Sequence, residues 1–524
     1  MQNVHAEIKA IEQLLAAKKG LAAIKALNAV QKAHPPMQRG VPEWRLQEMY
    51  AEASRLTLDP VQLVNALYDA ACFDRDLRRQ REHFSAHLFA AHYAFNLGPY
   101  GLAKRHLNYS VLYEEQETLP ARPLLPHTRL RIGYLAPNFC DGSAARFYEA
   151  ALTTLPADEF DVTLYAMEDK EDAFTAQLQQ RYAYKCLQHE TLQGAAEVIR
   201  DDEIDILFDL GGHTEGGFTL MVMGYHPAPV QLCGIGWFDT TGLPAVDGLL
   251  TDTLLDPPNS TYLEWYTEHL CYLPGTSLCF TPNAAMQAMH DELLATWPQH
   301  EPRPDRRGTG ELWTLGGEQP EPGEGVVFGC FQNFLKINQQ VLDCWSLILR
   351  LVPSARLVIQ DTVASEARVA RMRNLCAAAL IPSHRVQVRP GRPEYLQDYA
   401  EIDVMLDTFP YPGGAMTATA LYLGRPVVSM RGGHHSARFG AAIQQAAGHE
   451  EWLAMDEAGY ISRAVSLAAQ ADQLPQLQRQ LLAEVPQSPL MNSQLYGQRL
   501  ALLYSELWSA KRAFGNIEKA ANPN

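Results

Sequence analysis

The hydrophobic pattern of the chain changes near residue 120. Before that point, apolar residues recur at helical spacing with few β-branched runs, as in AEIKAIEQLLAAKKGLAAIKALNAV. This pattern predicts an all-α domain over residues 1–120. Its helices could form degenerate tetratricopeptide-like repeats or a plain helical cap, because the segment lacks a clean self-similarity at the repeat length of about 34 residues.

Short apolar runs alternate with amphipathic segments after the proline-marked linker ARPLLPHT. The runs RLRIGYLAP, FDVTLYAM and IDILFDL are predicted strands, and helical patterns such as AARFYEAALTTL separate them. Such alternation is typical of α/β units with a parallel sheet. It predicts a first Rossmann-like lobe over residues 128–288.

A segment rich in Pro, Gly and charge interrupts the alternation. This segment, HEPRPDRRGTGELWTLGGEQPEPGEG, predicts an interlobe linker over residues 289–324. The alternation then resumes with VVFGCF, ARLVIQD, RVQVRP, DVMLD and PVVSM, which predict a second Rossmann-like lobe over residues 325–524. We expect its terminal helix, SQLYGQRLALLYSELWSAKRAF, to pack back across the lobes. The predicted fold class is α/β, with two lobes behind a helical domain.

Composition excludes several classes of function. The chain has 524 residues and a formal net charge of -17, so we expect no nucleic-acid partner, because phosphate binding relies on clustered Lys and Arg. Its nine Cys are scattered without metal-type spacing, which predicts neither a disulfide framework nor a metal site. No apolar run reaches membrane-spanning length and the N-terminal start is polar, so we expect a cytoplasmic protein without a membrane span.

Five segments carry a resemblance to a known family: RLRIGYLAPNF, ILFDLGGHTEG, HPAPVQLCGIGWFDTTGLPAVDGLLTD, FQNFLKINQQVLDCWSLIL and LDTFPYPGGAMTATALYLGRPVVS. In their order and spacing, the chain resembles the O-GlcNAc transferase and Spindly-like glycosyltransferases of family 41, over about residues 84–468. The resemblance implies a GT-B fold, in which two Rossmann-like lobes face a cleft. It also implies a nucleotide-sugar donor, UDP-GlcNAc or a related one, a protein acceptor and no metal cofactor.

Lys336 lies between the predicted strand VVFGCF and the next helix, at the edge where parallel sheets bind ligands. Glycosyl transfer builds negative charge on the departing pyrophosphate, so a cation here would lower the barrier. The family's phosphate-contacting Lys falls on Lys336, which is our catalytic candidate. Asn333 falls on a family position that hydrogen-bonds the donor. A solvated surface Lys is the structural alternative for Lys336.

Gly413 and Gly414 precede the helical pattern AMTATALYLG, so backbone N–H groups at the helix start could hold a pyrophosphate. The resemblance places them in the nucleotide loop, with Thr417 as an additional hydroxyl. Two positions depart from the family pattern: Met416 lies in the phosphate-binding run, and Thr419 replaces the acidic residue that commonly binds the ribose hydroxyls. A Thr replaces that contact incompletely, which predicts weaker donor binding.

The resemblance also assigns residues near the base and phosphates. Tyr395 falls where human-type enzymes carry a His near the uracil, and its ring preserves stacking. A core Tyr on a helix face is the alternative. Pro390 and Arg392 fall where contacts to the base are expected. Arg438, in the run GGHHSARFG, is predicted to pair either with a phosphate or with a carboxylate.

His213 follows the strand IDILFDL through two glycines and precedes Thr214. A His at this end of a strand is predicted to face the cleft, as a general base or as a group that orients the donor phosphate, although a lone His is commonly structural. The family's first-lobe His has no counterpart here, because Gly142 occupies its place. In some accounts of the family, the donor phosphate takes the acceptor proton.

Three functional hypotheses remain. The first is an inverting glycosyltransferase that moves a sugar, most simply GlcNAc, from UDP to Ser or Thr of a protein. The second is a GT-B pseudoenzyme that binds a partner or acceptor, which the changes at Met416, Thr419 and Gly142 favour. The third is transfer from another nucleotide sugar.

Overall fold

A computed structural model describes residues 2–36, 39–124, 127–296 and 325–517 of the protein. Within these ranges the chain forms a helical N-terminal region and two parallel sheets, each with helices on its faces. The predicted α/β class, with two Rossmann-like lobes in a GT-B arrangement, is confirmed. No helix in the described part of the chain is long and apolar enough to cross a membrane.

Six helices form the N-terminal region, and α1 to α5 pack each on the next. Two of them begin at aspartates whose side chains cap the first turn: Asp59 accepts from the N–H of Gln62, and Asp76 from the N–H of Arg79. The prediction of an all-α region is therefore confirmed. The helices are α1 (Gln2–Ala16), α2 (Gly20–Ala33), α3 (Glu43–Thr57), α4 (Pro60–Phe73), α5 (Leu77–Ala91) and α6 (Gly98–Leu107).

The first lobe contains a seven-stranded parallel sheet. Its strands are β1 (Leu130–Ala136), β2 (Phe160–Ala166), β3 (Ala183–Cys186), β4 (Ile206–Asp209), β5 (Val230–Cys233), β6 (Gly248–Thr251) and β7 (His269–Tyr272), in the order β3-β2-β1-β4-β5-β6-β7. Its helices are α7 (Ala145–Thr153), α8 (Ala173–Arg181), α9 (Leu192–Asp201) and α10 (Phe218–Met223). Helix α11 (Ala284–Thr296) follows β7 in the chain but packs on the second lobe, where His290 lies 2.8 Å from the carbonyl of Leu482. Strands β4, β5 and β6 are wholly buried, which explains their continuous apolar runs.

The second lobe contains a six-stranded parallel sheet. Its strands are β8 (Val327–Phe331), β9 (Arg356–Gln360), β10 (Val386–Arg389), β11 (Val404–Leu406), β12 (Val427–Met430) and β13 (Leu453–Ala454), in the order β10-β9-β8-β11-β12-β13. The helices that follow β8 are α12 (Gln339–Leu351), α13 (Glu366–Ala378), α14 (Ala415–Tyr422), α15 (His435–Ala446), α16 (Glu457–Ala469), α17 (Leu474–Glu484) and α18 (Ser493–Phe514).

The last helix, α18, packs on the first lobe. The hydroxyls of Tyr504 on α18 and Tyr134 on β1 lie 3.1 Å apart, and Gly497 lies directly against Thr154 after α7. A side chain at Gly497 would overlap Thr154, so the glycine permits this close approach. The terminal helix thus packs back across the lobes as the sequence predicts, and it belongs to the first lobe rather than to the unit 325–524.

Helix α11 continues to Thr296, eight residues past the predicted end of the first lobe at residue 288. Its apolar residues Met286 and Leu293 are buried, so packing extends the helix into the segment predicted as linker. The remainder of that predicted linker, residues 297–324, lies outside the described residues.

Candidate functional site

Both sheets reverse their strand order beside a central strand. In the second lobe, β8 pairs with β9 on one side and β11 on the other. In the first lobe, β1 pairs with β2 and β4. Loops on opposite sides of such a reversal diverge and leave a crevice at the carboxyl ends of the strands. The loops after β8 and β11 carry the predicted phosphate site, and the loop after β4 carries His213.

Lys336 is the last residue of a short 3₁₀ helix, Phe334–Lys336, that follows β8. Its ammonium donates a hydrogen bond to the carbonyl of Pro412 at 2.8 Å and lies 3.9 Å from the centre of the Tyr411 ring. Burial lowers the pKa of Lys336 to about 8, although the nearby carboxylate of Asp407 opposes that shift. Lys336 therefore joins the loop after β8 to the loop after β11.

Asp407, the first residue after β11, organises the glycine loop. One carboxylate oxygen accepts hydrogen bonds from the backbone N–H groups of Thr408 (2.9 Å) and Gly413 (2.7 Å). The other accepts from the hydroxyls of Thr417 (3.1 Å) and Ser429 (2.8 Å). Asp407 was not among the site residues predicted from the sequence. The feature that could have indicated its role is an aspartate at the end of an apolar strand, followed by the turn residues of FPYPGG.

Gly414 is the N-cap of α14, and a glycine has no side chain with which to cap the helix. The N–H groups of the first turn are thus directed at the crevice, as an anionic ligand requires. Thr417 lies in this turn, but its hydroxyl is used by Asp407. Thr419 is fully buried inside α14, and its hydroxyl has no hydrogen-bond partner among the described residues. The predicted contact of Thr419 with a ribose stays a prediction, and it would require this buried hydroxyl to become accessible.

Asn333 caps the 3₁₀ helix that carries Lys336. Its side-chain oxygen accepts from the N–H of Leu335 at 3.1 Å and from the guanidinium of Arg368 at 2.7 Å. This carbonyl oxygen is occupied, so a donor contact would come from the amide NH₂ of Asn333. The residue positions the Lys336 turn whether or not it touches a ligand.

The three residues predicted near the base lie in the segment after β10. Arg392 donates to the buried carboxylate of Asp398 at 2.8 Å through its Nε, so its charge is paired within the lobe. Tyr395 begins the 3₁₀ helix Tyr395–Glu401 and is partly buried, and Pro390 is partly buried in the preceding loop. Burial raises the pKa of Tyr395, and the acidic Asp141 of the first lobe adds to the shift. The 3₁₀ helix that Tyr395 begins packs on α11.

His213 is buried, and both ring nitrogens are engaged. Nε2 lies 2.8 Å from the carbonyl of Thr241 and Nδ1 lies 3.0 Å from the hydroxyl of Ser85 on α5. A carbonyl oxygen only accepts, so Nε2 carries the proton. Burial holds the pKa of His213 well below its usual value. The neutral ring of His213 thus fastens the β4 loop to the helical region, as in the structural alternative, and its role as a base or as a group that orients the donor phosphate stays a prediction.

The two lobes touch through residues at the start of α15. His435 Nδ1 lies 2.7 Å from a carboxylate oxygen of Asp256, and Arg438 donates through Nε to the carbonyl of Leu254 at 2.9 Å. Both partners belong to the loop after β6. Burial lowers the pKa of His435, but the Asp256 carboxylate outweighs it, so the pKa is raised. Arg438 therefore links the two lobes through a backbone carbonyl. The partner predicted from the sequence was either a phosphate or a carboxylate.

Thr214, beside His213, donates its hydroxyl to the carbonyl of Gly211 at 2.6 Å and lines a large cavity. The cavity has a volume of ≈ 1000 Å³ and lies between the helical region and both lobes. Its charged lining is mixed in sign and includes Lys18, Arg45, Glu48, Glu52, Arg55, Glu82, Glu168, Glu215 and Arg368. Asn333 and Leu335 also line it, which places the Lys336 turn at its wall.

A sequence model of glycosyl transferase family 41 matches residues 102–299 and 317–500. The chain belongs to glycosyl transferase family 41. The match begins inside α6, so most of the helical region lies outside it. The resemblance drawn from the five sequence segments is therefore confirmed at the level of the family.

Several plant proteins are similar to this family 41 chain. The probable UDP-N-acetylglucosamine–peptide N-acetylglucosaminyltransferase SPINDLY of Solanum lycopersicum is 30% identical over 406 residues, which cover 75% of this chain and 40% of that protein. SPINDLY of Arabidopsis thaliana is 31% identical over 395 residues, covering 73% and 40%. The Arabidopsis thaliana protein SEC is 26% identical over 388 residues, covering 73% and 37%. The chain thus spans about 40% of the length of these relatives.

A solved structure of an O-GlcNAc transferase mutant from Thermobaculum terrenum matches this family 41 chain along nearly its whole length. The two align with a TM-score of 0.76 and 24% sequence identity, covering 97% of this chain and 99% of that one. The match includes the helical N-terminal region as well as both lobes. It establishes the common fold.

The two glycines of the loop after β11, Gly413 and Gly414, should respond differently to alanine. A Cβ at Gly413 would overlap the side chains of Gln332 and Thr417, whereas a Cβ at Gly414 would find its nearest neighbours, Phe147 and Phe439, at 3.8 Å. We expect Gly413→Ala to lower the free energy of unfolding by about 1–3 kcal/mol. Gly414→Ala should lower it by at most about 1 kcal/mol, because alanine meets no overlap there but is a poorer N-cap than glycine. Urea unfolding of both variants tests this, and equal losses would contradict it.

Buried histidines should make the family 41 chain sensitive to acid. Burial lowers the pKa of His87 and of His434 to about 4 from an ordinary value of 6.5. Between these values the unfolded chain binds more protons than the folded one, so the free energy of unfolding falls as pH decreases from about 6.5 to about 4. Urea midpoints at pH 7 and pH 5 measure the fall. His87→Gln should reduce it, and an unchanged pH dependence in that variant would count against the assignment.

Proposed function

We propose that the protein is an inverting glycosyltransferase that moves GlcNAc from UDP-GlcNAc to a Ser or Thr hydroxyl of a protein acceptor. One observation carries the proposal: the Lys336 ammonium and the uncapped N-terminus of α14 meet at the crevice between β8 and β11. A cation beside free backbone N–H groups is suited to a diphosphate. The names of the plant relatives supply the sugar and the acceptor class.

In the proposed reaction, the acceptor oxygen forms a bond to the anomeric carbon of the sugar as the bond from that carbon to the phosphate oxygen breaks. UDP departs with both bonding electrons, and its diphosphate gains negative charge. Lys336 and the N–H groups of α14 stabilise that charge more in the transition state than in the bound donor, which accelerates transfer. This protein cation takes the part that a metal ion plays elsewhere, so the proposed step needs no metal.

The acceptor hydroxyl loses its proton during transfer, so a group near it must accept that proton. The neutral His213 uses both nitrogens in internal contacts, so it is poorly placed to receive one. We therefore assign the proton to a phosphate oxygen of the donor, which requires the diphosphate to fold beside the sugar so that this oxygen reaches the attacking hydroxyl. His213 then acts as a positioning residue for the β4 loop.

The cavity between the helical region and the lobes is the proposed entrance for the acceptor. It reaches the Lys336 turn through Asn333 and Leu335, and its charged walls alternate in sign. A polypeptide in extended form satisfies such walls with its backbone and polar side chains. The relatives named as peptide N-acetylglucosaminyltransferases support this class of acceptor.

Isothermal titration of UDP, and then of UDP-GlcNAc, into the purified protein tests the donor site. We expect micromolar binding that Lys336→Ala weakens at least tenfold, because a charge-assisted contact is worth about 1.5–3 kcal/mol. Lys185→Ala is the control, since Lys185 is an exposed cation paired with Asp202 at 2.6 Å, outside the crevice. Equal weakening by both substitutions would contradict the assignment of Lys336.

A pseudoenzyme is the second candidate. It is favoured because the residues predicted to bind the donor are buried or already contact other groups of the protein. The Lys336 ammonium is held by Pro412 and Tyr411, Thr419 is buried, and Arg392 is paired with Asp398. If a nucleotide sugar does not displace these contacts, the two lobes serve to bind a partner. Absence of heat for UDP and UDP-GlcNAc, from a folded protein, would support this candidate and remove the first.

A further inference from the structure

A buried cluster of three side chains lies where the helical region meets the lobes. His92 follows the end of α5, His106 lies on α6, and Asp239 lies in the loop after β5. One ligand atom from each of the three, the two imidazole nitrogens and a carboxylate oxygen, lies within 4.8 Å of the others. All three side chains are buried, at 4%, 0% and 0% exposure, so the cluster is not a solvated surface feature.

Both imidazoles have a hydrogen-bonded Nδ1 and an Nε2 that is available to a ligand. The Nδ1 of His106 lies 3.0 Å from the carbonyl of Leu102, and the Nδ1 of His92 lies 3.0 Å from the hydroxyl of Ser436. A carbonyl only accepts, so the proton of His106 is on Nδ1 and the Nε2 lone pair is free. Metal-binding histidines usually donate their second nitrogen in this way. Neither Nε2 atom has a hydrogen-bond partner among the described residues.

Hydrogen bonds hold the carboxylate of Asp239 in place. Its oxygens accept from the N–H of Thr240 at 2.8 Å and from the hydroxyl of Tyr262 at 2.9 and 3.0 Å. A divalent cation would bind both unpartnered nitrogens and the carboxylate at once, whereas a trapped water has only two protons to donate.

We propose that His92, His106 and Asp239 bind a Zn²⁺ ion. Two imidazoles and one carboxylate form a donor set that zinc accepts, with the fourth position filled by water. Zinc bonds of about 2.0–2.1 Å would draw the three ligand atoms together by about an ångström, which small side-chain rotations provide. The long separations between these residues in the sequence explain why no ligand motif was visible.

The proposed ion would fix the helical region to the lobes. His92 and His106 come from the helical region, Asp239 comes from the first lobe, and Ser436, which contacts His92, lies on α15 of the second lobe. Because the ligands gather only in the folded chain, binding of the ion would add to the stability of this junction. The role is structural and is separate from the proposed sugar transfer.

Metal analysis of the full-length protein tests the site. The protein, purified without a His-tag, should contain about one Zn²⁺ per chain, and a chelator should remove it and lower the melting temperature. Readdition of Zn²⁺ should restore that temperature. Co²⁺ added to the stripped protein should give a visible absorption band of a four-coordinate site. A stripped protein that takes up neither Zn²⁺ nor Co²⁺ would overturn the proposal.

Substitutions assign the ligands. His106→Gln and Asp239→Asn should each reduce Zn²⁺ content and the Co²⁺ band by about tenfold or more. His87→Gln is the matched control, because His87 is also buried, is bonded through Nδ1 to the carbonyl of Val64, and has an unpartnered Nε2 outside the cluster. Full metal content in both ligand variants, or equal loss in the control, would refute the assignment. If a variant fails to fold, the titration of the unmodified chain still decides.

Discussion

Replacing Lys336 with methionine is expected to slow sugar transfer by about 10²–10³-fold while making the protein more stable at neutral pH. The catalytic loss follows because a preorganised cation no longer faces the departing diphosphate. The gain in stability follows because burial lowers the pKa of Lys336 to about 8, a net effect that already includes the attraction of Asp407. Keeping this amine charged therefore costs folding free energy, which methionine does not require.

The sign of the pH dependence distinguishes this explanation from loss of packing. Between about pH 8 and the ordinary lysine value of 10.5, the unfolded chain binds more protons than the folded one, so the unmodified protein gains stability as pH rises. The advantage of Lys336→Met should be complete below pH 8 and should shrink above it. Urea midpoints at pH 7 and pH 9.5, with transfer assays, measure both effects. Lys185→Met is the control, and a variant that is less stable at pH 7 would contradict the prediction.

Asp407→Ala is expected to lower the free energy of unfolding by about 3 kcal/mol or more and to abolish UDP binding. The substitution leaves two backbone N–H groups and two hydroxyls without their acceptor in a buried site. The glycine loop would then lose the anchor that directs the N-terminus of α14 at the crevice. Urea unfolding and UDP titration measure the two losses.

Asp252→Ala provides a matched comparison for Asp407→Ala. Asp252 is also fully buried, and it accepts from the N–H groups of Leu254, Leu255 and Ser277 and from the hydroxyl of Ser277. It lies in the loop after β6 of the first lobe and, among the described residues, makes no hydrogen bond to the glycine loop. Both variants should be destabilised, but only Asp407→Ala should lose UDP binding at a temperature where each remains folded. Retained UDP affinity in Asp407→Ala would contradict the anchoring role.

The order of strands and helices was predictable because each lobe buries its parallel strands on both faces. Strands such as VVFGCF and IDILFDL read as uninterrupted apolar runs, and the helices between them show one apolar face. The predicted boundary at residue 288 falls inside α11, because that helix continues into a segment whose polar composition resembles a linker. Burial of Met286 and Leu293 stabilises the continuation of that helix. This burial cannot be inferred from the local sequence pattern.

The candidate site was harder to predict because its side chains are held by distant partners. His213 has the sequence context of a cleft residue, yet Ser85 and Thr241 occupy its nitrogens. Asp407 was overlooked because its importance comes from four donors that only the folded loop brings together. Lys336 and the two glycines were visible because their chemistry depends on position at the carboxyl edge of a sheet, which strand and helix patterns do reveal.

The position of α18 determines the order in which the two lobes can complete their folding during translation. A chain emerges from the ribosome starting at its N-terminus, so β1 to β7 are made long before the helix that covers Tyr134 and Phe160. The second lobe, which comprises α11 and the segment from β8 to α17, is made before α18 and can close while the first still exposes apolar surface. A nascent chain that pauses after Glu484 would therefore present that surface to chaperones until its last helix is released.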